Sequence, residues 1–435
     1  MVAEIMDPDT NLRKLVTLRK IDALDPIPNA DAIEVATVEG WKVVVKKGEF
    51  KVGDLCVYFE IDSFLPDGNP AWQFLVDKQG REFEGKRGHR LKTIKLRGQL
   101  SQGFVIPLAS APAVHDAFKD MQFMLGTDAA ITEIRQLDFS AVLGVVKWDP
   151  PLPAALAGLA KGLFPSFIRK TDQERCQNLG RAIFGYEDEM FPFDIGNLPE
   201  DALQTMQDKG LLEWVGDALG GKWMKVIPAE ASPDAAYEVT MKMDGSSATF
   251  FHRDGEVGVC SRNLELKVDE ANKDNTFVRM LFDSTLNVVL PELGNIAIQG
   301  ELMGPAIQGN RENLKDFTFF VFEVQFLDEG RNATIYERYG IMDKLYALGV
   351  NPHKVRHAPI MTAPGKFVEF QELSGEERVR HTLPSLGITN VDELLKFAEG
   401  PSLVNKVREG LVFKRADGKF SFKAISNAYL LGEKE

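Results

Sequence analysis

The chain has 435 residues, of which 44% are apolar and 26% charged, and its net charge is -13. That length exceeds one ordinary core and predicts two or three domains of a soluble globular protein. The acidic balance excludes a protein that coats nucleic acid with its whole surface, while leaving room for a local basic groove.

The chain starts with MVAEIMDPDT, which is acidic and lacks a basic-then-apolar pattern, so no signal peptide is expected. Residues 12–110 read as β-rich: LVTLRKIDAL and AIEVATVEGWKVVVKKG alternate apolar and polar residues, punctuated by PIPNAD and KKGEFKVGD. LCVYFEIDSFLP is a further strand, and KTIKLRG places Ile94 and Leu96 on one face with Lys95 and Arg97 on the other. Short strands between Gly- and Pro-rich turns predict a small OB-like β-barrel over residues 1–110. KRGHRLKTIKLRG (86–98) is the densest basic run and holds no acid. It fits a solvated hairpin equally well as a ribbon on which Lys86, Arg87, Arg90, Lys92, Lys95 and Arg97 track a nucleic-acid backbone.

Residues 111–147 show no sustained strand pattern and are expected to be a linker, with WDPPLP (148–153) as the boundary to a second domain, 148–435. LPAALAGLAKGLFPSF (152–167) is apolar but interrupted by Lys161, too short and broken to span a bilayer. It is expected to be a buried or interfacial helix, and no membrane partner is expected. RKTDQERCQNL (169–179) reads as a helix start, because Thr171 and Glu174 have capping-box spacing. Residues 201–219 read as helical up to Gly220-Gly221. From about 224 the strand pattern returns, with hairpin turns at RDG (253–255) and ADG (416–418) and helical segments at 268–293 and 336–350. The second domain is therefore expected to be α+β with mostly antiparallel strands. Cys56, Cys176 and Cys260 form no CxxC pair, which indicates reduced thiols in a cytoplasmic protein.

The chemistry starts at KMDGS, where Lys242 precedes Asp244 and Gly245. Alone, such a pentapeptide arises by chance in roughly one chain of this length in a hundred, so order and context must decide. Ser261-Arg262-Asn263 follows on the return strand of a hairpin, then Gly300-Glu301 at a strand end, then the aromatic strand FFVFEV (319–324). Glu409-Gly410-Leu411-Val412-Phe413-Lys414 and Ser421-Phe422-Lys423-Ala424-Ile425-Ser426 close the set.

This ordered set resembles the covalent nucleotidyltransferases, the ATP-dependent ligases and mRNA capping enzymes. With PNADAIEVATVEGWKVVVKKGEFKVGD, IKLRGQLSQGFVIPL and FPSFIRKTDQERCQNL, the chain looks like the ATP-dependent RNA ligases with an N-terminal OB domain, of the Deinococcus and Naegleria type. Only twelve residues follow Lys423, too few for the C-terminal OB domain of DNA ligases and capping enzymes, which again favours that branch.

The resemblance implies that Lys242 attacks ATP to form lysyl-AMP, and that Asp244, Glu301 and Glu409 hold Mg²⁺ or Mn²⁺, partly through water. Lys423 would neutralise the α-phosphate. Arg262 would hold the ribose or a phosphate, with Asn263 assisting. Phe322 or Phe320 would stack on adenine, Lys414 would reach into the active site to bind the nucleotide, and Gly245 would let the backbone approach the nucleotide. A lysine attacks only as the neutral amine, and its ordinary pKa is about 10.4; burial and nearby cations, including a metal, supply the downward shift this needs.

Many RNA ligases carry two lysines two apart on the final strand. Here Ser421 and Ile425 flank Lys423, leaving Lys419 or Lys414 to supply the second charge. Glu238 and Glu323 read as strand acids, and His353 and His357 as surface residues. Relatives of this type seal nicks in duplexes whose 3′-hydroxyl strand is RNA, and no obligate protein partner is implied. The rival readings are a GTP-using capping guanylyltransferase and a non-catalytic RNA-binding protein with a relic nucleotidyl fold.

Overall fold

The computed structural model describes residues 14–148, 158–192, 195–196, 199–217, 220–227, 229, 231–232 and 234–432. The opening decapeptide, the boundary prolines after Trp148 and the first part of the apolar stretch, 152–157, lie outside the described residues. Internal contacts divide the chain into two compact units, Met1–Pro150 with Gln177–Ser232, and Pro151–Cys176 with Pro233–Glu435.

In the first unit the alternating segments form small antiparallel sheets. Leu55–Phe59 is the central strand between Val16–Lys20 and Phe104–Pro107, and Ile33–Val38 is central between Ala23–Pro26 and Trp41–Lys46. LCVYFEIDSFLP is two strands, because the chain turns at Asp62, whose φ is 68°. Thr93–Leu96 and Gln99–Gln102 form a hairpin.

Residues 111–147, expected as a linker, instead carry helices Pro112–Leu125 and Thr127–Ile134. Their buried Val114, Phe118, Ala130 and Ile134 share one core with Leu18, Val57, Phe59 and Trp72. Val114 and Phe118 stand four apart, one stripe of a helix, a period that leaves no strand signal. The helix expected over 201–219 stops at Asp208, where Gly210 adopts φ 66°, and Leu212–Asp217 pairs with Gly220–Ile227 as a hairpin.

The second unit contains two antiparallel-dominated sheets. The larger places Ser246–Arg253, Ile296–Met303 and Thr318–Phe326 side by side at its centre. One face packs against helices Thr276–Asp283 and Ile335–Ala347 through Phe250, Ile298, Phe319, Met280, Met342 and Leu345. The smaller orders Lys366–Val368, Ile360–Ala363, Tyr237–Met241, Gly410–Arg415 and Ser421–Ile425. Met241 and Met243, at the end of a smaller-sheet strand, cluster with Met303 and Phe320 of the larger sheet. The described end of the 152–167 stretch is not a helix: Ala160–Leu163 pairs as a strand with Leu264–Leu266. Gly158, Gly162 and Pro165 disfavour a helix there.

Candidate active site

Lys242 leaves the end of Tyr237–Met241, and its backbone N–H donates to the Gly410 carbonyl at 3.0 Å. That bond brings Glu409, at the head of the next strand, beside it. Glu409 Oε1 lies 2.7 Å from Lys242 Nζ. Gly410 is required here, because a Cβ would stand 2.2 Å from the Ala424 carbonyl oxygen. Glu301 comes from the larger sheet and accepts the Gly245 N–H at 3.1 Å. Gly245 has a reason beyond the expected approach to a nucleotide: a Cβ would stand 2.5 Å from the Leu302 carbonyl oxygen of that sheet. Asp244 Oδ2 lies 3.5 Å from Arg311 Nε.

Burial pulls the Lys242 pKa down, but the charges of Glu409, Glu301 and Asp244 outweigh it and hold the ammonium above its ordinary range. The Glu301 carboxyl is pushed up to about 7, by burial first and by Glu409 and Asp244 against the pull of Lys242. The nucleophile is half-buried, and its charged neighbours are the acids expected to hold the cation. Glu409 Oε2 is buried without a hydrogen-bond partner. Hard carboxylate oxygens carrying surplus negative charge fit a divalent cation such as Mg²⁺ or Mn²⁺. Among the described residues no three acids, histidines or cysteines are grouped closely enough to hold an ion directly. The fit is thus to an ion reached partly through water.

Lys423 lies on Ser421–Ile425, opposite Val412. Its Nζ is 2.6 Å from Asp172 Oδ1, and its N–H donates to the Glu174 carbonyl at 2.9 Å. The segment around Asp172 forms no helix, unlike the helix start expected from its capping-box spacing. The Thr171 hydroxyl hydrogen-bonds Gln299, and the Arg169 carbonyl accepts from Gln299 Nε2 at 2.8 Å and Gln325 Nε2 at 2.6 Å. A tertiary partner thus takes the hydroxyl a cap would use. Lys170 Nζ reaches Asn263 Oδ1 at 2.9 Å. Arg262, exposed, and Asn263 stand in the turn just past Glu256–Cys260 rather than on that strand.

The aromatic strand contains a bulge. Gln299 pairs with Glu323 but Gly300 with Val321, so Phe322 is an extra residue. Phe319, Val321 and Val324 enter the core, which leaves Phe322 and Glu323 both off it. Phe322 is half-buried, whereas Phe320 is fully buried among Met241, Met243 and Met303. Lys414, expected to reach the nucleotide, is buried against Glu323 Oε2 at 2.8 Å and the Phe322 carbonyl. Lys419 is exposed in the final hairpin. The cation whose backbone bridges to Lys423 is Arg175.

In the first unit Lys86 and Arg87 are exposed, and Arg87 pairs with Asp67 at 3.2 Å. Arg90 pairs with Asp62 at 2.9 Å and lies over the Trp148 ring, and Lys92 is half-buried. Lys95 is exposed together with Ile94 and Leu96. Arg97 stands at the hairpin tip, not on a strand face. It and Gly98 adopt φ 50° and 86°, the positive pair of a two-residue turn.

A family model described as an OB-fold domain matches residues 15–108, and one described as RNA ligase matches residues 235–425. Among solved structures, an apo variant of Naegleria gruberi RNA ligase is 37% identical, with 96% of this chain and 97% of that one covered and a TM-score of 0.68. The chain belongs to the RNA ligase family. Another variant of the Naegleria enzyme, with AMP and Mn, aligns at 37% identity over 96% of this chain and 98% of that one, TM-score 0.68. The same enzyme with PPi gives 37%, 96%, 98% and 0.67. No curated protein matches the sequence.

The ligase thus has the expected architecture, an N-terminal OB-fold domain followed by an α+β antiparallel-sheet ligase domain. Among its described residues no helix is long and apolar enough to cross a membrane. Four side chains of the ligase escaped the sequence reading. Asp172 meets Lys423, and Arg311 meets Asp244 while lying over the Tyr429 ring. Glu238 is buried, bonded to Arg338 and to Tyr339 Oη at 2.5 Å. His357 is 1% exposed, not a surface residue, because its strand Val355–His357 joins the larger sheet; His353 is exposed as expected. Only Glu238, four residues before Lys242 on an alternating strand, carried a sequence signal: it falls on the same strand face as Lys242.

Proposed function

We propose that this RNA ligase uses ATP and a divalent cation, Mg²⁺ or Mn²⁺, to join a 3′-hydroxyl to a 5′-phosphate, acting at nicks in duplexes whose 3′-hydroxyl strand is RNA. The observation that carries the reading is the meeting of Lys242 with Glu409, Glu301 and Asp244, in a chain 37% identical to a ligase solved with AMP and Mn. The Lys242 amine, once deprotonated, attacks the ATP α-phosphate, forming a phosphoramide bond to AMP as pyrophosphate leaves. A nucleic-acid 5′-phosphate oxygen then attacks the same phosphorus and lysine departs. The 3′-hydroxyl finally attacks the activated 5′-phosphate, and AMP is released.

A cation held by Asp244, Glu301 and Glu409, partly through water, would supply positive charge at the α-phosphate and offset the acids that keep Lys242 protonated. Lys423 adds charge on the same phosphate, giving up its contact with Asp172. Arg262 and Asn263 hold the ribose or a phosphate, and Phe322 stacks on adenine. In the OB-fold domain Lys86, Arg87, Arg90, Lys92, Lys95 and Arg97 face the duplex and read its A-form shape rather than its sequence. A role in RNA repair follows from that substrate.

Incubation with α-labelled ATP and Mg²⁺ or Mn²⁺ tests the first step. The wild type should become covalently labelled and Lys242→Ala should not. Equal label on both proteins would end the assignment. Sealing of a nicked duplex with an RNA 3′-hydroxyl strand should exceed sealing of the all-DNA duplex.

A further inference from the structure

The strand Thr318–Phe326 gains one residue between the pairs Gln299 with Glu323 and Gly300 with Val321. A bulged residue is left without a ladder partner for its backbone groups. For Phe322 the missing partner of the carbonyl is supplied by a side chain from the smaller sheet: Lys414 Nζ donates to it and lies 2.8 Å from Glu323 Oε2. Lys414 and Glu323 are both buried. Glu238 stands opposite Lys414 in the ladder, but its carboxylate is engaged by Arg338 and Tyr339, so the bonds of the lysine fall on the two bulge residues. Phe320, the other ring on this face, is sealed among methionines, which leaves the half-buried Phe322 ring to meet a base.

We infer that Lys414 is a positioning residue: its ammonium pins the carbonyl of the bulge and so fixes the angle at which the Phe322 ring meets adenine. This rests on the reading of the site as one that binds ATP. It differs from the sequence expectation, in which Lys414 contacts the nucleotide itself. A lysine that touches phosphate acts on ATP and not on adenosine. A lysine that aims a stacking ring acts on both.

Adenosine binding, measured by competition against self-adenylylation and directly by calorimetry, separates the two. Lys414→Met keeps the side-chain length and donates nothing. Adenosine affinity should fall about tenfold, the scale of one base–aromatic stack, and Phe322→Ala should lose a similar factor. The double variant K414M/F322A should fall no further than either single one, because both act through one contact. K414M leaves Glu323 as an unpaired buried charge, so K414M/E323Q is made alongside it; it should fold with a near-normal melting temperature and still lose adenosine affinity. Normal adenosine affinity in K414M with weakened ATP binding would overturn the inference in favour of a phosphate contact. Additive losses in K414M/F322A would overturn it, as would full adenosine binding restored in K414M/E323Q. A wild-type protein that binds neither adenosine nor ATP would instead remove the nucleotide reading beneath it.

Discussion

Two groups of charged side chains in the ligase unit differ in how they are balanced. In the first, Glu238 is matched by Arg338 and Tyr339, and Glu323 by Lys414. His357 sits in the same group as a neutral ring, its pKa pulled down to about 4 by burial. Arg338 Nε points at His357 Nε2 from 3.2 Å, and a guanidinium only donates, so the ring proton sits on Nδ1 and goes to the Ala358 carbonyl at 2.7 Å. In the second group Asp244, Glu301 and Glu409 face Lys242 and Arg311, one Glu409 oxygen has no partner, and the Glu301 carboxyl is held near 7. Matched buried charge is scaffold. Surplus negative charge is a site that a cation completes.

The largest effect that would sharpen this contrast comes from the surplus group. Lys242→Ala should lose covalent labelling altogether. Glu301→Gln should lower self-adenylylation by about 10²-fold or more while leaving the melting temperature unchanged or higher, since it relieves like-charge crowding. A fall in both would break the contrast. In the matched group, Arg338→Met should cost about 3–5 kcal/mol in denaturant unfolding, because Glu238 is left buried with its charge uncompensated.

A smaller effect comes from His357. Its folded pKa lies below the unfolded value, so the unfolded chain binds more protons between pH 6.5 and 4. The contribution is fully present above pH 6.5 and is lost as pH falls through that window, at most about 3 kcal/mol. Unfolding measured across that range should show a shallower pH slope in His357→Gln. The smallest effect lies outside both groups. Lys95→Ala with Arg97→Ala should spare self-adenylylation, weaken nicked-duplex binding about tenfold at moderate salt and reduce its salt dependence. Equal loss of both activities would count against separate roles for the two domains.

The residues that carry local patterns were legible in the sequence. RDG does turn a hairpin, with Asp254 at φ 53° and Gly255 at 86°, and the KMDGS lysine does meet the distant Glu409 and Glu301. What was hidden depends on partners far along the chain. Glu238 reads as a plain strand acid until Arg338, a hundred positions later, is folded against it. The bulge at Phe322 leaves no mark in FFVFEV, because strict alternation and alternation plus one residue look alike over six positions. Thr171 and Glu174 have the spacing of a cap, yet Gln299 takes the threonine hydroxyl.

The non-helical stretch around Asp172 is fastened in two chemically different ways. At Arg169 it is held by the amides of Gln299 and Gln325, which carry no charge and do not titrate. At Asp172 it is held by an ion pair with Lys423, where the aspartate side chain is 29% exposed. Dissolved ions weaken the second fastening and leave the first alone. Ionic strength therefore acts on the Asp172 fastening, the one whose lysine also has to serve the phosphate.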